Sequence, residues 1–412
     1  GPTAATARTG PTAATARTAP TAPGSPTAAP VTGLGVVVAR LVAVIALAAS
    51  GCASAPAPVS APTATSSPSR PCDAAFADGD FAELFDDLQR VAEVDPVWPS
   101  FDTRGLPLVL EARTATGACV AHVADGRVLA TAHTDAPIEN SLGVFGILIT
   151  ARADAAPAER MGFLAGGVPE VVLRSLRDAG VRAALVWSGN AETLSAAGLG
   201  EPATRARVAR YLLLHESFHV QALFGPVFAP GWPRIRPEWM VQADQEALTR
   251  ECLGDPAATR ERAILADAVA AGEADDLPRM REGLRTFAEA RAARYRRLAA
   301  VRLAAGEAEL PCWVAESVWE LDEGGADHAS LVTLAEAGLA APHQPLSDYV
   351  RGDTDNAPYY HTGAAQLFVL GRLAPARGAL FTELQTAEAP TGALWCAVVE
   401  ATGVPFEPCA GP

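Results

Sequence analysis

Two histidines four positions apart, with a glutamate beside the first, make His215-Glu216-Ser217-Phe218-His219 the stretch of this chain best equipped for chemistry. On a helix of about 3.6 residues per turn, His215 and His219 project from one face a turn apart, so both imidazoles can reach a single metal ion. Imidazole pairs at that spacing suit zinc. Glu216 then leans toward the open side of the metal, where it can take a proton from a water molecule that the metal polarises. The apolar positions Val208, Tyr211, Leu212, Leu214 and Phe218 give the helix a buried side. Histidines carried into such a core need polar partners, because an unpaired polar group there is costly.

A catalytic zinc site has three protein ligands and one open position, so a third ligand must come from elsewhere in the chain. Glu323 is the first candidate, opening Glu323-Gly324-Gly325-Ala326-Asp327-His328. Glu238, at a helix start after Pro237, and Glu246, on a helix with Asp244, are its rivals. Asp327 lies one helical turn beyond Glu323 and faces the same way. A ligating histidine usually donates its second ring N–H to a carboxylate, which is the role Asp327 would take toward one of the pair.

In order along the chain these motifs resemble the gluzincin family of zinc metallopeptidases, over roughly residues 203–375. The segment Trp319 to Asp327 is similar to the one in which the family's glutamate is the third zinc ligand, although Trp319 lies one position further upstream than usual and His328 stands where tyrosine is common. The spacing of Glu323 and Asp327 is that of the Glu-x-x-x-Asp pair of thermolysin-like members, while Glu238 stands at the separation from His219 found in aminopeptidase-type members. Tyr360-His361-Thr362-Gly363 resembles a Y-x-x-G segment whose tyrosine hydroxyl steadies the oxyanion of the tetrahedral intermediate, with Tyr359 and His361 as neighbours able to do the same. The aminopeptidase motif G-x-M-E-N has only a partial echo in Ile138-Glu139-Asn140, which favours internal or unassigned peptide cleavage. The resemblance implies a Zn2+ cofactor held by His215, His219 and Glu323, and a peptide or protein substrate. The alternative is a non-catalytic envelope lipoprotein that uses a zincin-like fold to bind peptide, partner or metal.

The elements that must position these residues follow from periodicity. Phe76, Phe81, Leu84, Phe85, Leu88 and Val91 predict an amphipathic helix over 73–92. Short β-rich runs at 106–112, 118–123, 127–131, 143–150 and 181–187, punctuated by Gly, Asp and Pro, predict a sheet. His122 and His133 fall on or beside those strands as ordinary histidines. Beyond residue 201 helical spacing dominates, at 203–223, 240–252, 257–272, 277–305 and 312–321, interrupted by the Pro/Gly-rich stretch 224–238. The fold class is therefore α+β, with a β-containing part at 72–200 and a mostly helical, zincin-like part at 201–412.

Upstream, residues 1–33 repeat small residues, Pro and Thr and are expected to be disordered. Residues 34–52 set an arginine before a short apolar run that ends in small residues, a signal-peptide pattern too short for a comfortable membrane span. Ala49-Ser50-Gly51-Cys52 resembles the lipobox of bacterial lipoproteins, which implies that Cys52 is lipidated and anchors an exported protein at the membrane of the cell envelope. Residues 53–71, rich in Pro, Ser and Ala, read as a tether. The six remaining cysteines, Cys72, Cys119, Cys252, Cys312, Cys396 and Cys409, are an even number, as disulfides in an exported chain would require. Only Cys396 with Cys409 is suggested by proximity. A net charge of −15 with no lysine excludes an electrostatic nucleic-acid binder.

Overall fold

The computed structural model describes residues 70–77, 79–96, 98–99, 101–140, 145–150, 165–188, 202–224, 246–305, 308–342, 345–352, 358–374, 376–387 and 392–409. The expected disordered segment, signal peptide, Cys52 and residues 53–69 of the tether lie outside these residues, as do Glu238 and Asp244; the tether's last two residues, Arg70 and Pro71, instead open a helix.

The first half is built on a five-stranded mixed sheet in the order β3-β2-β1-β7-β5, from β1 (Leu108–Thr114), β2 (Gly117–Ala124), β3 (Arg127–Thr134), β5 (Phe145–Ile149) and β7 (Ala183–Trp187). A two-residue strand β4 (Glu139–Asn140) pairs separately with β6 (Ala165–Gly166). Strands β1 and β7 run parallel, and every other neighbour in the main sheet is antiparallel. Strands β1, β2, β5 and β7 are buried on both faces, which explains their unbroken apolar runs, whereas the edge strand β3 leaves Val128 and Leu129 exposed. Alternate side chains go to opposite sides: Leu108, Leu110, Ala121, Val123, Leu185 and Trp187 join the main core, whereas Val109, Val120, Ala184 and Val186 pack with Val172 and Leu176 of α3 (Glu170–Asp178). That helix does not stand out from the sequence. His122 is buried with Nδ1 2.8 Å from Ser175 Oγ, and His133 is 4.0 Å from Asp135, so both are structural.

The expected helix over 73–92 is two helices, α1 (Arg70–Phe76) and α2 (Gly79–Ala92). The apolar stripe bridges both, so periodicity alone does not reveal that one helix ends at Phe76 and the next begins at Gly79. The second half contains α4 (Pro202–Phe224), a π-helical turn at Leu248–Leu253, α5 (Pro256–Glu273), α6 (Leu277–Arg297), the hairpin β8 (Arg302–Ala305) and β9 (Ala308–Pro311), α7 (Cys312–Glu336), α8 (Leu346–Arg351), α9 (Pro358–Leu373), α10 (Arg377–Thr386) and α11 (Ala393–Thr402). Two boundaries depart from expectation. The helix expected over 277–305 stops at Arg297 and the chain turns into the hairpin. The one expected over 312–321 runs on to Glu336, straight through Gly324-Gly325. Glycine normally weakens a helix interior by about 1 kcal/mol, but here it permits a close crossing. A Cβ on Gly324 would lie 2.4 Å from Gly363 Cα of α9, and one on Gly363 would lie 2.1 Å from the Glu320 carbonyl oxygen. Gly325 instead faces Phe218 of α4 at ordinary contact distance. The small residues of α7 therefore serve chiefly its crossing with α9, the helix that carries Tyr360. Disulfides join Cys72–Cys119, Cys252–Cys312 and Cys396–Cys409.

A buried ionic network fixes α7. Arg294 of α6 meets Glu316 through both terminal nitrogens at 2.6 and 2.7 Å, and meets Glu261 of α5 at 2.9 Å. Arg291 meets both oxygens of Glu320 at 2.7 and 2.8 Å, and the Thr362 hydroxyl of α9 donates to Glu320 at 2.6 Å. All these charged groups are buried. Removing one partner of such a set strands charge in the core. Arg294→Met should therefore destabilise the fold by about 3–5 kcal/mol, measured by chemical denaturation; an unchanged midpoint would show that the network contributes nothing.

Candidate metal centre

Helices α4 and α7 pack side by side and bring His215, His219 and Glu323 together in a buried cluster. The His215 and His219 Nε2 atoms are 3.1 Å apart, and Glu323 Oε2 is 3.3 Å from the first and 3.1 Å from the second. Ligands about 2.05 Å from a tetrahedral zinc ion stand about 3.3 Å from one another. The triangle thus has the size of one face of a tetrahedral coordination shell.

The other ring nitrogens explain why Nε2 atoms converge. His215 Nδ1 lies 2.9 Å from Asp327 Oδ1, and His219 Nδ1 lies 3.3 Å from Asp322 Oδ1. Carboxylates on that side favour a proton on Nδ1, which leaves an Nε2 lone pair on each neutral ring. Two such lone pairs and a carboxylate oxygen within 3.3 Å repel one another unless a cation or proton lies between them. This donor set fits a metal ion, and within the described residues no other group of three potential ligands forms such a cluster.

The titration of these groups follows the same logic. Burial pushes His215 down, but Asp327 and Glu323 outweigh it and hold the imidazole well above its ordinary value. Burial pushes Glu323 up, and the two histidines reverse this and hold it well below the usual carboxylate range. Protons and metal compete for the same lone pair. Because the His215 pKa is raised, its proton persists to higher pH than on a free histidine, and metal uptake must displace it. Apparent metal affinity should therefore rise with pH through the neutral range and fall in acid, as read by chelator competition across pH; a flat profile would contradict histidine ligation.

Asp327 is itself held by two phenols. Tyr211, one turn before His215 on α4, donates to Oδ1, and Tyr349 of α8 donates to Oδ2 at 3.1 Å. Asp327 is fully buried, so it is not a solvated helix carboxylate. His361 stacks on Tyr349 with ring centroids 3.7 Å apart, and its Nδ1 is 3.1 Å from the Tyr349 carbonyl oxygen. It packs on that tyrosine. Asp327→Asn should lower metal affinity by roughly 10–100-fold with the fold intact, measured by the same competition; unchanged affinity would reduce Asp327 to a packing role.

Glu216 sits on the α4 turn between the two histidines and is half-buried. Its charge reaches both the His215 ring and the Tyr360 hydroxyl, raising the pKa of each. Tyr360 is also half-buried, with its ring stacked on His215 at 5.8 Å and 17°. Burial first, and Glu323 next, push the Tyr360 phenol well up, so it keeps its proton and remains a donor at neutral pH. Tyr359 is fully buried between Trp319 and Tyr360 and belongs to the core. Glu246 is exposed and lies outside the cluster.

The chain matches no family model, no curated protein and no solved structure.

Sequence reasoning passed over three of those contributors. Asp322 is adjacent to Glu323, and Tyr211 precedes His215 by one turn, so both carried a helical-spacing signal. Tyr349 carried none, since only the folded position of α8, packed on α5 and α9, brings it to Asp327.

Proposed function

We propose that the protein is a zinc-dependent hydrolase of peptide bonds, a gluzincin-type metallopeptidase. The observation that carries this reading is the convergence of His215 Nε2, His219 Nε2 and Glu323 Oε2 within 3.3 Å, beside a half-buried Glu216 on the same helix. Bound there, zinc would supply Lewis-acid polarisation of the scissile carbonyl and of water. Glu216 accepts the proton of the attacking water and passes it to the leaving amine. Asp327 and Asp322 keep the two imidazoles turned toward the metal. Tyr360, protonated and fixed against His215, donates a hydrogen bond to the oxyanion as it forms. The buried network on α5, α6 and α7 holds Glu320 under Thr362 and so seats the first turn of α9 from which Tyr360 projects.

The lipobox resemblance adds that the enzyme is exported and anchored through Cys52, with its substrates outside the cytoplasm. Three disulfides fit an oxidising compartment. Among the described residues no helix is long and apolar enough to cross a membrane. The test is incubation of the zinc-loaded full chain with a broad peptide library, with cleavage read by mass spectrometry. Metal-dependent cleavage is expected; stoichiometric zinc without cleavage would favour the non-catalytic envelope lipoprotein instead.

A further inference from the structure

A cavity of about 310 Å3 lies beside the C-terminal half of α7. Its walls are mostly apolar, from Leu331, Val332 and Ala335 of α7, Leu346 of α8 and Phe368 of α9, with His328 as the buried polar member. His328 follows Asp327 directly. Successive helical residues turn by about 100°, so it points away from the metal ligands.

The hydrogen bonding of His328 is half complete. The Trp98 indole N–H can only donate, and it reaches His328 Nδ1 at 3.4 Å. The lone pair is therefore on Nδ1 and the proton of the neutral ring is on Nε2. Burial, reinforced by Arg377, pushes the His328 pKa down to about 3, so the ring is neutral at physiological pH. Around it the ring meets Trp98 and Phe381 through aromatic contacts. Among the described residues no acceptor takes the Nε2 proton.

The charged groups around the cavity are matched within the protein. Arg372 donates to the Gly272 carbonyl and to Asp275, Arg377 pairs with Glu336 at 3.4 Å, and Glu273 accepts from the Leu346 amide and the Ser347 hydroxyl. A charged ligand would have to break one of these pairs, whereas an uncharged one leaves them in place. A cavity of about 150 Å3 lined by apolar groups takes benzene, so twice that volume accommodates two fused rings.

We infer that this cavity binds a small, uncharged, largely apolar molecule whose one hydrogen-bond acceptor takes the Nε2 proton of His328. The site is separate from the metal centre and does not depend on its activity. The probes are 2-acetylnaphthalene and its near-isostere 2-isopropylnaphthalene, which lacks the acceptor. Each is titrated into the full chain labelled with 15N-histidine, with the ring nitrogens of His328 followed by NMR. The ketone should give a saturable one-to-one shift of His328 Nε2, and the hydrocarbon should bind roughly 3–10-fold more weakly, the worth of one hydrogen bond. Ala335→Phe, at an exposed position of the wall, should abolish both. His328→Phe should erase the preference for the ketone. If His328→Phe fails to fold, the two probes and Ala335→Phe still decide. No saturable shift up to the solubility limit, equal binding of the two probes, or binding unchanged in Ala335→Phe would each overturn the inference.

Discussion

Glu216→Gln should lower the rate of peptide cleavage by about 10²–10⁴-fold, the range for removing a general acid–base group, while leaving bound metal at one ion per chain. The substitution keeps the size of the side chain and removes its ability to accept a proton. Glu216 is the member of the His-Glu-His turn that is not drawn into the buried triangle, and it is half-buried where both histidines are buried. Its charge nevertheless reaches His215 and Tyr360. It therefore lies beside the centre without being one of its three candidate ligands. Steady-state cleavage of a peptide found in the library, combined with metal analysis of the same sample, separates the two roles. Loss of both metal and activity would make Glu216 a structural support of the site, and retention of full activity would remove it from the mechanism.

Replacing Glu323 by alanine should cost more metal affinity than the roughly 10–100-fold assigned to a supporting carboxylate, while Glu246→Ala should cost none. Glu323 has an oxygen within 3.3 Å of both Nε2 atoms, and the histidines hold it ionised despite full burial. Without it the two histidine nitrogens would share a dry site lacking the negative charge that offsets a divalent ion. Glu246, exposed on the far side of the Pro/Gly-rich stretch from α4, has no contact with the cluster. Chelator competition on the two variants and the parent chain decides between them. Equal affinity of Glu323→Ala and parent would assign the third ligand elsewhere.

The chemistry of this chain was more legible than its boundaries. His215, Glu216 and His219 are local, and helical spacing alone places them on one face. Glu323 was readable through its resemblance to the gluzincin segment, and Asp327 through its four-residue separation from Glu323, which on a helix puts both on one side. The α+β division also followed from period, since the two-sided strands were unbroken apolar runs and the later segments were helical. What the sequence could not convey depends on contacts between distant segments. Gly324-Gly325 reads as a helix end until Gly363 is found against Gly324, where a side chain would collide. Nothing in the sequence marks Arg291 and Arg294 as core residues, yet Glu261, Glu316 and Glu320 draw them into it. Tyr349 completes the hydrogen bonding of Asp327 only because α8 packs on α5 and α9 and so reaches it. His361 was readable only as a neighbour of Tyr360, and its stacking on Tyr349 appears only in the fold.

The most direct test of the metal centre is zinc anomalous diffraction from crystals of the full chain grown with zinc, with metal content measured on the same preparation. The expected result is one ion per chain, about 2.0–2.2 Å from His215 Nε2, His219 Nε2 and a Glu323 carboxylate oxygen, with one coordination position open to a non-protein ligand. Failure to retain zinc, or an ion bound by four protein ligands, would contradict it.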